Sequence, residues 1–126
     1  MNIPENLLYL DSHEWVEKTG EKTARIGLTD FAQDQLGDLV FVNLPEGGDS
    51  VAVGESFADV ESVKAVSDIY SPVTGTVAAI NADLLDAPEA INQDPYGAWL
   101  IEVTDITEYG ELMDAVAYQA FCEEQN

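Results

Sequence analysis

The apolar residues of this chain come in short bursts, most of them bounded by turn formers before an ordinary helix could be completed. Leu39 to Leu44 stops at Pro45 and the Gly47-Gly48 pair. Val51 to Val63, Ala65 to Ile69, Val73 to Ile80 and Trp99 to Val103 are further segments rich in Val, Ile, Phe and Tyr, punctuated by Gly54, Ser71-Pro72 and Gly75. β-branched and aromatic residues between closely spaced breakers predict strands, and several short strands in sequence predict an all-β sandwich or small barrel. Val16 to Ile26 reads as a hairpin with Thr19-Gly20 at its turn.

Helical signals are confined to two places. Asp30 followed by Gln33 resembles a capping box and Gly37 suits a helix end, which predicts a short helix over 30–36. Beyond Asp105, Leu112, Met113, Val116 and Ala120 recur at helical spacing, which predicts a helical tail over about 106–122. With 126 residues and no long linker or low-complexity tract, a single domain over 1–126 is expected.

Charge narrows the possible partners. Twenty-five acidic residues against four basic ones give a formal net charge of -21. Such a chain repels phosphate backbones and anionic membrane surfaces, so neither nucleic acid nor membrane is an expected partner. It is instead steered toward basic surfaces of other proteins. No apolar run approaches a membrane span. Met1-Asn2-Ile3-Pro4-Glu5 has neither a basic region nor an Arg-rich amphipathic stretch, so no signal or transit peptide is expected and the cytoplasm is the expected location.

Signatures of catalysis are missing. His13, the single histidine, lies in His-Glu-Trp-Val-Glu without the second histidine of a zinc-protease helix. The sequence contains no GxSxG, GxxxxGK[ST] or GxGxxG pattern. Asp83, Asp86 and Asp94 lack calcium-loop spacing. One cysteine, Cys122, allows neither an internal disulfide nor a CxxC site, and Glu123 and Glu124 beside it are expected to blunt the thiol. His13 reads as a partly buried residue packed beside Trp15. The chain is expected not to be an enzyme, and no metal site is expected.

One residue stands out against this background. Lys18, Lys22 and Arg25 cluster, whereas Lys64 is alone: residues 65–126 hold 12 acids and no Lys or Arg. Two strand-like segments meet at Val63-Lys64-Ala65 without Gly, Asn or Pro. A reverse turn there would project the lysine from a hairpin tip, where its amine can be acylated. An ordinary exposed lysine would look the same.

Glu61-Ser62-Val63-Lys64-Ala65, Ser67-Asp68 and Ser71-Pro72-Val73-Thr74-Gly75 resemble the lipoyl-attachment segment of the glycine cleavage system H-protein family. Ser12-His13-Glu14-Trp15, Gly27-Leu28-Thr29-Asp30-Phe31-Ala32-Gln33, Leu36-Gly37-Asp38, Leu44-Pro45, Asn92-Gln93-Asp94-Pro95-Tyr96-Gly97 and Phe121-Cys122-Glu123-Glu124 are similar to other family segments, in the family's order. Ala98 stands where the family usually has a second glycine.

The resemblance implies a flattened β-barrel or two-sheet sandwich of the lipoyl/biotinyl-carrier type, with lipoate in amide linkage on Lys64. It implies Ser12, Glu14 and Asp68 as lining of the cleft where the arm rests, and Glu61 as a recognition residue for the lipoyl-attaching enzyme. It also implies three working partners: a pyridoxal-phosphate glycine decarboxylase, a tetrahydrofolate-dependent aminomethyltransferase and an FAD-containing dihydrolipoamide dehydrogenase. The aminomethyl group would travel from the first to the second, and the dithiol to the third. A small carrier that meets several enzymes is expected to be a monomer.

Rival readings differ in particular residues. Biotin carriers flank their lysine with methionine, and here Val63 and Ala65 stand there. Lipoyl domains of 2-oxo-acid dehydrogenases are joined to Pro/Ala-rich linkers, which this chain lacks. An H-like lipoyl relay serving other lipoate-dependent enzymes, or an acidic scaffold that binds unmodified, would share most of these features.

Overall fold

In the computed structural model, which describes residues 1–125, nine strands form two sheets. The larger contains β1 (Leu8–Tyr9), β2 (Glu14–Gly20), β3 (Thr23–Leu28), β9 (Ile101–Tyr109), β8 (Val73–Ile80) and β5 (Ser50–Val51), in that spatial order. The smaller contains β4 (Leu39–Asn43), β6 (Ser56–Ser62) and β7 (Val66–Tyr70), also in that order. All strand pairs are antiparallel. Of the two forms expected, the sandwich is the one realised: among the described residues the sheets do not close into a barrel.

The core lies between the sheets. Ala24, Ile26 and Leu28 of β3 alternate inward and meet Ala58 and Val60 of β6, Val42 of β4 and Ile69 of β7. A second apolar cluster joins Leu7, Tyr9, Trp15, Phe31, Ala115, Tyr118 and Cys122. Trp15 and Val16 are neighbours in β2 and point to opposite faces, so each feeds a different cluster. Gly27 is paired with Trp15 across the ladder, and a Cβ on it would stand 2.5 Å from the indole. Glycine is what lets that ring lie flat on the strand.

Helix α1 (Asp30–Leu36) has the bounds expected, but its cap is one residue earlier. Thr29 is the N-cap, its hydroxyl accepting the Ala32 N–H at 3.2 Å, while Asp30 bonds the Gln33 side chain. The β2–β3 hairpin turns at Glu21-Lys22 and not at Thr19-Gly20, because an irregularity between Lys18 and Gly20 carries the ladder further. The expected strand from Val51 to Val63 is two strands, separated by a turn at Gly54. Gly75 lies inside β8, paired with Val51 of β5, at the irregularity between Thr74 and Thr76 where the ladder to β9 shifts register.

The tail departs most from expectation. Residues 106–109 belong to β9, and helix α4 spans Ala115–Gln125. Its buried stripe is Ala115, Tyr118 and Cys122, whereas Val116 is 79% exposed. Two single-turn helices, α2 (Asp83–Asp86) and α3 (Ala90–Gln93), fill the long connection before β9. Among the described residues no helix is long and apolar enough to cross a membrane.

Candidate functional site

Lys64 sits at the turn between β6 and β7, and Ser62 explains how the chain turns without glycine. The Ser62 N–H donates to the Ala65 carbonyl at 2.8 Å. Its hydroxyl oxygen accepts the backbone N–H groups of Lys64 at 3.1 Å and Ala65 at 3.0 Å. A serine side chain thus does locally what a turn former would do. The Val63 N–H donates to the Asp38 carbonyl at 3.1 Å, tying the tip to the loop after α1. Lys64 is exposed, and among the described residues it makes no ion pair.

The lysine stem lies across Gly37, which caps the C-terminus of α1. A Cβ on Gly37 would stand 3.0 Å from Lys64 Cε and 3.6 Å from Nζ. Its φ of 82° and ψ of -163° also fall in a region that essentially only glycine adopts.

A cavity of about 160 Å³ opens between α1, the β1–β2 turn and β7. Leu28, Ala32, Leu36, Val60 and Ile69 give it an apolar wall, and Ser12, Glu14 and Asp68 a polar end. Three of the residues predicted for a cleft are therefore brought together. Glu61 is placed elsewhere: it lies in register with Phe41 and Val66 on the outward row of the small sheet.

Glu14 is only 1% exposed. Its carboxylate accepts the Ser12 hydroxyl and the Tyr70 backbone N–H, the latter at 3.1 Å. Burial raises its pKa to about 7, against the opposing pull of these two donors; the nearby Asp11 charge adds a smaller upward push. It is a buried carboxyl poised to change charge near neutrality when a cation arrives.

Residues beside the cleft were less visible in the sequence. His13 stacks on Phe31 at 4.4 Å, not on Trp15, and has a left-handed φ of 76°. Trp15 instead donates from its indole to the Pro95 carbonyl at 3.0 Å. Tyr70 contributes its backbone to the cleft while its ring remains partly exposed. Cys122 is buried, and burial, not the charge of Glu123 or Glu124, raises its thiol pKa. No group of acidic, His and Cys side chains among the described residues could hold a metal ion.

An exposed lysine at the tip of a two-sheet support, its stem across the glycine that follows cavity-lining Leu36, with an apolar wall and a carboxylate end to that cavity, is the arrangement of a carrier domain of the swinging-arm class. The family model described as "Glycine cleavage H-protein" matches residues 7–125, and the chain belongs to that family. It is 58% identical over 125 residues to the glycine cleavage system H protein of Lachnoclostridium phytofermentans, covering 99% of this chain and 98% of that protein. It is 53% identical over 117 residues to the H protein of Mycobacterium leprae, covering 92% and 88%. The crystal structure of the H protein from Mycobacterium marinum superposes with a TM-score of 0.89 at 43% identity, covering 94% and 97%.

The family is the lipoyl shuttle of the glycine cleavage system and carries a covalently attached lipoate. The residues present suit that group. The stem of Lys64 rests on a glycine that adjoins the cavity wall, the apolar wall suits a hydrocarbon arm and dithiolane, and the polar end suits a protonated amine.

Proposed function

We propose that Lys64 is the attachment point for lipoate in this chain and that the 160 Å³ cavity is where the loaded arm rests. When bound, lipoate supplies a dithiol–disulfide pair able to take up and release a one-carbon amine unit. The chain's own residues position and protect. Ser62 and Asp38 hold the tip, so that a partner meets the amine in one orientation. Glu14 and Asp68 offer carboxylates to a cationic arm end, with Ser12 orienting Glu14. Leu28, Leu36, Val60 and Ile69 keep water from it.

In this reading the chain is a non-catalytic, monomeric carrier in the cytoplasm. It meets in turn a pyridoxal-phosphate glycine decarboxylase, a tetrahydrofolate-dependent aminomethyltransferase and an FAD-containing dihydrolipoamide dehydrogenase. Glu61, outward on the small sheet and three residues before Lys64, would serve the lipoyl-attaching enzyme. Normal lipoylation of Glu61→Ala would remove it from that role.

The observation that carries this reading is the exposed lysine at a hydrogen-bonded tip, its stem across Gly37 next to cavity-lining Leu36. Intact mass and peptide mapping from lipoate-replete cells test it directly. A single lipoyl increment on Lys64 is expected, together with glycine-dependent turnover by the three enzymes and loss of both in Lys64→Arg. An unmodified Lys64 would overturn it. Lipoylation without glycine-dependent turnover would favour a relay to other lipoate-dependent enzymes.

A further inference from the structure

A single hydroxyl on the C-terminal helix joins the two elements that wall the cavity. Tyr118 Oη lies 2.7 Å from His13 Nδ1 and 2.7 Å from Thr29 Oγ1. His13 separates Ser12 from Glu14 in the β1–β2 turn, and Thr29 is the N-cap of α1, whose Ala32, Gln35 and Leu36 line the facing wall. The proton assignments close consistently. Thr29 donates to Tyr118 while accepting from Ala32 N–H, Tyr118 donates to His13 Nδ1, and His13 Nε2–H donates to Gln125 Oε1 at 2.9 Å. The imidazole is then neutral with its proton on Nε2.

The same turn is held in an uncommon backbone state. His13 has φ of 76°, its N–H donates to the Leu10 carbonyl at 3.0 Å, and its carbonyl accepts the Thr29 N–H at 3.1 Å. A non-glycine residue persists there only when its surroundings over-determine it. Those surroundings include Phe31 beneath the ring and α4, through Tyr118, Phe121 and Gln125, on its other sides. Tyr118 is in turn fixed by a parallel stack on Tyr9, with centroids 4.5 Å apart.

We propose that α4, acting through the Tyr118 hydroxyl and His13, sets the spacing of the cleft walls and so governs how long a loaded arm stays protected. Tyr118 is a positioning residue that works through His13, itself part of the cavity lining, and through Ser12, Glu14 and α1. This inference rests on the reading of the cavity as the arm's resting place.

The test uses the lipoylated full chain carrying the aminomethyl group and follows ammonia release. Tyr118→Phe keeps the ring stack and removes the hydroxyl. His13→Asn keeps a residue tolerant of left-handed backbone and removes the ring. Each is expected to shorten the loaded lifetime about fivefold, the factor a lost hydrogen bond can supply. The rate of enzymatic lipoylation at the separate tip should stay unchanged. Val103→Ala, which lowers stability from within the β9 core, should leave the lifetime unchanged and so separates positioning from general loosening. Folded Tyr118→Phe and His13→Asn proteins with parental lifetimes would overturn the proposal. A parent that releases ammonia as fast as its denatured form would instead overturn the resting-place reading, and this proposal with it.

Discussion

The Glu14 carboxylate accepts the backbone N–H of Tyr70 at 3.1 Å, joining the large sheet's second strand to the outer strand of the small sheet. That contact satisfies a donor on an otherwise unpaired edge and places a buried acid at the end of the cavity. Placing it there carries a cost that depends on pH. Because burial lifts the folded value from 4.5 to about 7, the folded protein binds the proton more tightly than the unfolded chain does. Glu14's contribution to stability is then full below about pH 4.5 and is lost as pH rises through about 7.

Glu14→Gln should therefore gain stability relative to the parent as pH rises from 5 to 8, on the order of 2 kcal/mol at the upper end. The amide cannot accept from both Ser12 and Tyr70 with one oxygen, which holds the gain below the full linkage value. Burial lowers the His13 pKa, so its stabilising contribution falls away with acid, below about 6.5. That trend is common to both proteins and cancels in the difference. Urea unfolding across this range measures it, and a pH-independent difference would contradict a raised Glu14 pKa.

How far the sequence disclosed this architecture depends on how local each signal is. Val73–Ile80 and 30–36 were readable because β-branched residues, a capping side chain and glycine act within a few positions. The turn at 62–65 was readable as a turn, although only the structure shows Ser62 replacing a turn former. Val116 fits the helical spacing of the tail yet is exposed, whereas Ala115, Tyr118 and Cys122 carry the buried stripe. Tyr118 meets His13 across 105 residues, and no periodicity or spacing reports a contact of that range. Single-turn helices such as Asp83–Asp86 are too short to show a period at all.

Gly37 gives a second prediction. Alanine there combines a backbone region open essentially to glycine with a Cβ 3.0 Å from Lys64 Cε. Gly54→Ala provides the comparison, since φ is 80° there and no atom lies within 4 Å of the added Cβ. Both variants should lose about 1–3 kcal/mol in unfolding experiments. Only Gly37→Ala should also slow lipoylation of Lys64, by about threefold or more, because the stem must leave its place across Gly37. Equal lipoylation rates would show that the contact with Gly37 has no role in presenting the amine.

Tyr109 offers a test of polar satisfaction away from the cleft. Its hydroxyl is buried without a hydrogen-bond partner among the described residues, while Lys18 Nζ lies 4.5 Å from the ring centre. Tyr109→Phe keeps the ring under the cation and removes the unpaired hydroxyl. The variant should be as stable as the parent or up to about 1 kcal/mol more stable. A thermal unfolding midpoint clearly below the parental one would point to a partner for the hydroxyl in solution.

Docking should depend on the outward row of the small sheet. Phe41, Glu61 and Val66 lie in register across its three strands, with Phe41 49% and Val66 67% exposed, and Val63, 70% exposed, flanks Lys64. Asn43 and Asp59 pair in the next row, so apolar contact area adjoins an acidic group. Apolar area mainly slows dissociation, whereas charge speeds encounter with a basic surface and is screened by salt. Replacing Phe41 and Val66 together by serine should raise the KM for this protein with glycine decarboxylase about tenfold at unchanged kcat. Asp59→Asn with Glu61→Gln should instead weaken the salt dependence of kcat/KM and leave the apolar contribution intact. Steady-state assays at two ionic strengths separate these effects. A double-serine variant with parental KM would move the docking surface off this sheet.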